Sequence, residues 1–560
     1  MGPGLVRVLF SQKRGERAMS KTLFYNAKVY VEKDTFAQAV YQEDGWIKAV
    51  GSNEDVCPLA AKDAEKIDCE GRVLVPGFND SHMHMCFTGQ NMLVPDLSKV
   101  KSGKEMVAVI KKYVDENPGI NGVFSQSWDQ NRWDDPTIPT CKDLDTISTE
   151  IPIVLNRSCG HIGVSNSYVL KKLGIDKDHK TWEGGRIDCF EDGTPNGIMA
   201  ETPNFAARMS VPPITKEQEK KALVMAMEYA AAHGMTSTQS NDMGTIIKDH
   251  DYCFEIVDEV FAEGKGLVRY HSQTLVDTPE ELKEKVKNPK YYKGTFHDGW
   301  FTMGPLKLLK DGSYGGHSAL MRRDYDDQPG NRGVENIPDD KMYEMVKIAN
   351  ENGVGCAIHC IGDGALEKVT DCYARVQKEL FGDASQNPCR NAIVHCQTMD
   401  ATLRQKVKDA NIQAMYQPVF IRTDMYGLEE RIGKAMCYTS NSPKTMRAMG
   451  IHVSYGTDSP VEDCNPLVNL YVAVTRKDMA GKPEGGWYPD ECEDVQTAVD
   501  AYTIESAWAQ GMEDVKGRIK PGFYADLTVL DHDIFTCDPM EIKDTLPVLT
   551  MCGGKFTYRK

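Results

Sequence analysis

The chain has 560 residues, of which 41% are hydrophobic and 26% are charged, a composition typical of folded globular proteins. This length exceeds the usual size of one hydrophobic core, so we expect more than one structural unit. The net charge of −17 argues against a nucleic-acid partner and against binding to an anionic membrane, because both require clustered lysine and arginine.

The first 20 residues form an N-terminal extension before the first predicted strand. The apolar run at residues 5–10 is interrupted by Arg7, is too short for a secretory signal and lacks a small-residue cleavage site. No uninterrupted apolar stretch approaches the roughly 18 residues that would span a bilayer. We therefore expect a cytoplasmic protein, whose 17 cysteines stay reduced and act mainly as small packing groups.

Short strands with alternating polar and apolar residues are predicted at both ends of the chain. Residues 22–31 and 45–50 alternate in this way, and residues 517–531 and 548–558 repeat the pattern. The two termini of a domain often lie close together. We therefore predict one composite β-sandwich, formed by residues 21–76 and 510–560.

Between the two ends, short apolar runs alternate with amphipathic helical segments, which is typical of parallel βαβ units. The clearest strands are predicted at residues 78–84, 235–239, 267–273, 303–308, 354–359, 391–395, 412–417 and 451–457. Eight strands is the number that closes a (β/α)8 barrel. We therefore predict an α/β fold with a TIM barrel over residues 77–509.

The segment between the first two barrel strands is too long for a single crossover connection. Residues from about 95 to 215 contain predicted strands of their own, at 122–128 and 151–156, and a glycine-rich hairpin at 184–193. We predict an inserted α/β subdomain at the face of the barrel where loops carry function.

Candidate metal ligands stand at the ends of the predicted strands. His82 and His84 are two residues apart in the first strand, so their side chains point to the same face. His359 ends the fifth strand, His395 the sixth and Asp458 the eighth. Any one histidine alone is better explained by packing, but a barrel brings all these strand ends to one mouth. Neutral imidazoles with a carboxylate are typical ligands of zinc or a similar divalent ion.

The fourth predicted strand carries two lysines in an otherwise apolar stretch. Lys307 and Lys310 are an odd number of residues apart, so only one of them can point into the barrel. A buried lysine is costly unless it is paired or chemically changed, and a carbamate formed with carbon dioxide is one such change.

These motifs resemble those of the amidohydrolase superfamily, in particular the branch of YtcJ-like proteins that includes N-substituted formamide deformylases. The resemblance covers nearly the whole chain after residue 20. It rests on segments 75–84, 306–312, 359–363, 456–460, 501–507 and 517–527, together with His395.

The resemblance implies six ligands around one or two divalent ions, with zinc as the expected metal: His82, His84, Lys307, His359, His395 and Asp458. The histidine pair of the first strand and Asp458 would hold the first ion, and the other two histidines the second. Lys307, carbamylated by carbon dioxide, would bridge them.

The predicted insertion contributes further candidates. His161 matches a family position that faces the substrate, and we count it with Asp458 as a candidate catalytic residue, although a structural histidine bonded to the loop backbone is an equal alternative. Trp128 and Trp133 are candidates for lining the pocket, with simple packing as the favoured interpretation. Residues 312–317 read Gly-Ser-Tyr-Gly-Gly-His where the branch has Gly-Ser-Leu-Gly-Ser-Arg, so its substrate contacts are not expected to carry over unchanged.

The implied function is a metal-dependent hydrolase that acts on a small molecule and cleaves a C–N bond other than a peptide bond, in an amide, formamide or cyclic amide. Asp458 would take up the proton of an activated water and pass it to the leaving amine. Two alternatives stay open: a metal-dependent lyase or isomerase on the same scaffold, and a non-catalytic regulatory homologue. The oligomeric state also stays open, with a homodimer as one option.

Overall fold

The computed structural model describes residues 20–130, 133–157, 162–183 and 185–560. The chain divides into two compact units, the first with residues up to Met83, residues 227–250 and residues 266–560, and the second with residues 84–226 and 251–265. Residues 1–19 of the predicted N-terminal extension lie outside the described residues. Every helix in the described ranges is too short or too polar to cross a lipid bilayer.

Eight parallel strands form the central sheet of the first unit, in the same order in space as in the sequence. Barrel strands 1 to 8 are Phe78–Met83, Met235–Ser240, Arg269–Leu275, Phe301–Leu309, Cys356–Cys360, Ala392–His395, Gln413–Tyr416 and Val453–Tyr455. Each predicted strand coincides with one of them to within two residues at either end. The predicted α/β fold with a TIM barrel is therefore confirmed.

Helices follow most of these strands, as the amphipathic segments predict. The helices of the barrel region are Lys216–Ala232, His250–Ala262, Pro279–Lys285, Asp339–Glu351, Asp363–Phe381, Ala401–Asp409, Ile421–Asp424, Leu428–Ile432, Lys434–Thr439, Pro443–Ala448, Pro466–Thr475, Val495–Ala501 and Ile504–Ala509. The first two of these include residues of the second unit. Helix Ala401–Asp409 begins where the Asp400 side chain accepts the Leu403 N–H, and helix Asp363–Phe381 ends at Gly382 with a left-handed φ of 87°.

Asp80 links barrel strand 1 to barrel strand 8. Its buried carboxylate accepts hydrogen bonds from the backbone N–H of His82 (3.0 Å) and from the N–H and hydroxyl of Thr457 (3.0 and 2.7 Å). The hydroxyl of Tyr502 donates a further bond at 2.9 Å. The N–H of Asp458 also donates to the carbonyl of His82 at 2.8 Å. These bonds join the first and last strands of the barrel.

Strands from both ends of the chain combine in two further sheets of the first unit. The four-stranded sheet contains, in order, Trp46–Gly51, Ala39–Glu43, Lys21–Tyr25 and Glu65–Asp68. The six-stranded sheet contains Lys555–Arg559, Pro547–Cys552, Leu527–Leu530, Val73–Pro76, Lys28–Glu32 and Thr35–Ala37. Buried side chains of both sheets share one hydrophobic core, as in the predicted composite β-sandwich. Its boundaries as a domain, 21–76 and 510–560, stay a prediction.

Two predicted strands are each divided in the structure. Residues 22–31 form two strands in different sheets, because the chain turns at Asn26, whose φ of 51° lies in the left-handed region. Residues 548–558 form a hairpin that turns at Gly553 and Gly554, both with positive φ. Alternation in the sequence marks extended chain but does not show where a turn interrupts it.

The second unit contains a mixed five-stranded sheet. Its strands are, in order, Gly185–Cys189, Pro195–Glu201, Ile162–Ser165, Ile153–Arg157 and Val123–Trp128. Its own helices are Met85–Met92, Gly103–Glu116, Cys141–Asp145, Ser167–Lys172 and Thr202–Met209. Trp128 donates from Nε1 to the Leu155 carbonyl at 3.0 Å and packs with Trp133 in a core of this unit. Packing therefore accounts for both tryptophans, and the insertion's limits of about 95–215 stay a prediction.

Candidate metal centre

Three of the predicted ligands form a compact cluster where barrel strands 1 and 8 meet. One ligand atom from each of His82, His84 and Asp458 lies within 4.8 Å of the other two. His82 and Asp458 are buried, and His82 Nε2 lies 3.3 Å from Asp458 Oδ1. Histidine nitrogen and carboxylate oxygen bind zinc at about 2.0–2.2 Å, so these atoms need little movement to share one ion.

The histidines of barrel strands 5 and 6 lie beside this cluster. The ring centroids of His359 and His395 are 4.3 Å apart, and the ring of His395 is 5.6 Å from that of His82. Burial lowers the pKa of His359 to about 3, and it lowers the pKa of His395 well below its ordinary value. Both imidazoles are therefore neutral near pH 7, which is the form that binds metal.

Two glutamines determine which nitrogen of His82 and of His395 carries the proton. The amide nitrogen of Gln273 donates to a backbone carbonyl at 3.2 Å, so its Oε1 accepts from His82 Nδ1 at 3.0 Å. Gln417 is held in the same way, and its Oε1 accepts from His395 Nδ1 at 2.7 Å. Nδ1 is therefore the protonated nitrogen of each histidine, and Nε2 carries the lone pair that a metal ion would bind.

His359 has the opposite arrangement. Its Nε2 donates to the carbonyl of Gly312 at 3.0 Å, which leaves Nδ1 as the atom with a free lone pair. The nearby carboxylate of Asp311 accepts backbone hydrogen bonds from Leu320, Ile361 and Gly362 at 2.8–3.1 Å, and burial raises its pKa to about 7. Asp311 thus fixes the loop after barrel strand 4 against the end of strand 5.

Lys307 in barrel strand 4 and Lys310 directly after this strand have different surroundings. Lys310 is paired with Glu335 at 2.6 Å and with Asp339 at 2.5 Å. Lys307 is 1% exposed, and its Nζ has no hydrogen-bond partner among the described residues. Burial lowers the pKa of Lys307 to about 8, while the charge of Asp458 acts in the opposite direction. Of the two lysines, Lys307 is therefore the one whose surroundings favour modification of the side-chain amine.

Other candidates differ in how far the structure describes them. His161 lies outside the described residues, so its catalytic role stays a prediction. In the segment that departs from the family pattern, Tyr314 is buried with no partner for its hydroxyl among the described residues. His317 Nε2 lies 2.8 Å from the carboxylate of Asp327.

Sequence reasoning missed Gln273 and Gln417 as supporting residues. They come from barrel strand 3 and from the end of strand 7, neither of which contributes a predicted ligand. Their position along the strands is the signal that could have found them, because both stand at alternate positions whose side chains face the barrel interior. Their contact with histidines of other strands is visible only once the barrel is closed.

Residues 65–558 match the model of the amidohydrolase family. This chain belongs to the amidohydrolase family. The resemblance stated from the motifs is therefore confirmed. The roles of the individual ligands in this amidohydrolase stay proposals.

Relatives of this amidohydrolase extend over almost its whole length. The YtcJ protein of Bacillus subtilis, provisionally named an amidohydrolase, is 29% identical over 546 residues, which cover 96% of this chain and 100% of YtcJ. The N-substituted formamide deformylase of Arthrobacter pascens is 24% identical, with 96% and 97% of the two chains covered. An uncharacterized metal-dependent hydrolase from Pyrococcus furiosus, 24% identical, shares the fold with a TM-score of 0.75 over 92% of this chain and 100% of its own.

Replacement of Gln417 by leucine should lower the affinity of this amidohydrolase for zinc by about 10- to 100-fold, because His395 loses the acceptor that fixes its tautomer and orientation. Competition with a chelator of known affinity measures the change. Gln405→Leu, on an exposed helix face, is the matched control and should leave the affinity unchanged. Equal zinc affinity of Gln417→Leu and the parent would contradict the positioning role.

Proposed function

We propose that this chain is a metal-dependent hydrolase that cleaves the C–N bond of a small amide, formamide or cyclic amide. The observation that carries the proposal is the cluster of His82, His84 and Asp458 in a barrel of the amidohydrolase family. The similarity to an N-substituted formamide deformylase supports a C–N bond outside a peptide as the bond that is cleaved. A cytoplasmic location and a homodimer stay predictions.

The donor atoms fit one or two divalent ions, and we propose zinc because neutral imidazoles and a carboxylate suit it. His82, His84 and Asp458 would hold the first ion. His359 through Nδ1 and His395 through Nε2 would hold the second. When bound, such an ion lowers the pKa of a water toward about 7 and polarises a carbonyl oxygen.

Lys307 is proposed to carry a carbamate. Its neutral amine nitrogen forms a bond to the carbon of carbon dioxide and releases one proton, so that a cation disfavoured by burial becomes an anion with two oxygens. A pKa of about 8 keeps a useful fraction of the amine neutral near pH 7. Nζ has no partner among the described residues, which supports this assignment because an unmodified buried amine without a partner is costly.

Asp458 is proposed to transfer the proton. Its carboxylate takes a proton from the water that attacks the carbonyl carbon and gives it to the amine nitrogen as the C–N bond breaks. One water is consumed, its hydroxyl ends in the acid product and its proton on the amine. Its Oδ1 lies 3.3 Å from His82 Nε2, within the cluster. His161 is proposed to face the substrate.

Replacement of Asp458 by asparagine should lower turnover by about 10²- to 10⁴-fold while much of the bound metal is retained, because the amide cannot accept the proton. Initial rates on a panel of N-formyl, N-acyl and cyclic amides measure the loss. Asp409→Asn, at an exposed helix end, serves as the control. Turnover near that of the parent would exclude Asp458 as the proton carrier.

The same panel, run in ¹⁸O-labelled water, separates the alternatives. Hydrolysis places one labelled oxygen in the acid product, whereas a lyase or isomerase on this scaffold places none there. A metal-loaded protein without turnover on any of these substrates would instead favour a non-catalytic regulatory homologue.

Incubation with ¹³C-bicarbonate should give one carbamate carbon signal in the NMR spectrum of the parent and none in Lys307→Ala. The physical reason is that Lys307 is the buried amine proposed to react. Lys408→Ala, which removes an exposed lysine, controls for carbamates on the surface. Identical spectra from the parent and Lys307→Ala would remove the carbamate from the proposal.

A further inference from the structure

A second cluster of buried polar groups lies at the other end of the barrel. Asn79, Ser237 and Arg269 stand at one level on barrel strands 1 to 3, because Ser237 is in register with both of the others. Arg269 is the first residue of strand 3 and is four residues from Gln273, so the two share a face. Gln273 bonds to His82 inside the barrel, and this level therefore also faces the interior.

Three hydrogen-bonded pairs connect this level to residues 510–526. Lys516 Nζ donates to Ser237 Oγ (2.6 Å), the Arg269 guanidinium donates twice to Asp526 (2.8 and 3.2 Å), and Asn79 Nδ2 donates to Gln510 Oε1 (3.3 Å). The three charged members are 4–7% exposed. The cluster is therefore a buried, hydrogen-bonded part of the barrel interior.

Unused donors outnumber unused acceptors at this level. Arg269 Nη1 and Gln510 Nε2 are buried without a partner among the described residues. Within the same part of the chain, Lys516 Nζ donates to one atom, Ser237 Oγ. Among the described residues in and next to this cluster, the unused amide acceptors are Asn79 Oδ1 at this level and Gln239 Oε1 two residues after Ser237 on strand 2. A surplus of buried N–H groups favours an anion over a neutral ligand.

The neighbouring side chains that the structure describes do not supply that anion. The guanidinium of Arg269 lies over the rings of Trp300 and Tyr524, at 4.8 and 4.0 Å from their centroids. His271 is the next interior residue of strand 3. Its Nδ1 is hydrogen-bonded to the hydroxyl of Thr302 at 2.8 Å. Burial lowers the pKa of His271 to about 3, so this imidazole is neutral near pH 7.

The charges at this level do not balance when Lys516 is protonated. Arg269 and Lys516 then face one carboxylate among the described residues, that of Asp526, which leaves one positive charge in excess in the barrel interior. An uncompensated buried charge is strongly unfavourable. Burial lowers the pKa of Lys516 to about 7, against the attraction of Asp526, so the amine is only partly charged unless a counter-ion is present.

We propose that this cluster binds a small monovalent anion between Lys516 Nζ, Arg269 Nη1 and Gln510 Nε2. The anion satisfies the unused donors and neutralises the excess charge, while Asp526 occupies the other edge of the guanidinium. Chloride and bicarbonate both have this chemistry. The site is separate from the metal ligands, and its occupancy does not depend on the proposed hydrolysis.

Crystals of the metal-loaded full chain soaked in bromide test the site directly. We expect an anomalous difference peak in contact with Lys516 Nζ and Arg269 Nη1. Addition of bicarbonate to the soak should remove the peak if bicarbonate is the preferred anion, and chloride should remove it otherwise. Density at this position without anomalous signal in bromide would overturn the proposal, as would empty space.

Thermal unfolding provides a solution test with matched variants. Chloride should raise the unfolding midpoint of the parent by about 2 °C, relative to gluconate at equal ionic strength, and the effect should saturate. Lys516→Met should lose this response, whereas Lys408→Met, at an exposed position, should keep it. An equal chloride response in the parent and Lys516→Met would contradict the site. If Lys516→Met does not fold, the bromide experiment on the parent decides.

Discussion

The buried carboxylate of Asp80 joins the two strands on which the candidate metal centre depends. It accepts bonds from the backbone of strand 1 at His82 and from Thr457 directly before Asp458. The separation of the His82 and Asp458 side chains is therefore set by a residue that binds no ion itself. Gly456 belongs to the same arrangement, because a Cβ there would lie 2.6 Å from the backbone nitrogen of His82. Four donors offset the cost of burying this carboxylate, a cost visible in its pKa of about 7.

The barrel interior has a polar side at strands 1 to 3, and an apolar cluster beside the metal ligands of strands 5 and 6. Strands 5 to 7 contribute a small apolar cluster of Ala357, Ala392, Val394 and Met415. Strands 1 to 3 contribute amides, hydroxyls and the Arg269–Asp526 pair. Burial keeps His359 and His395 neutral, and Lys307 Nζ has no hydrogen-bond partner among the described residues. Both features favour metal ligands over ion pairs. The polar side extends from the metal ligands to the proposed anion site.

Much of the fold could be predicted because parallel barrel strands are apolar runs of distinctive length, bounded by helical segments. His82 and His84 could be found from their spacing of two, and His359, His395 and Asp458 because each stands at the end of a strand or shortly after it. The supporting contacts could not be found in this way. Gln273 and Gln417 lie far in sequence from the histidines that they orient, and nothing in local spacing indicates such a pairing. The breaks at Asn26 and Gly553 depend on backbone conformation that an alternating pattern does not encode.

The metal content of the purified full chain tests the central claim most directly. Expression with added zinc and bicarbonate, followed by elemental mass spectrometry, gives the number of ions per chain. We predict close to two ions in the parent and a clear loss in a variant with both His82→Ala and His84→Ala. One ion would indicate a mononuclear centre without a bridging carbamate. No bound metal in the parent, even after reconstitution, would contradict a metal centre at the mouth of this barrel.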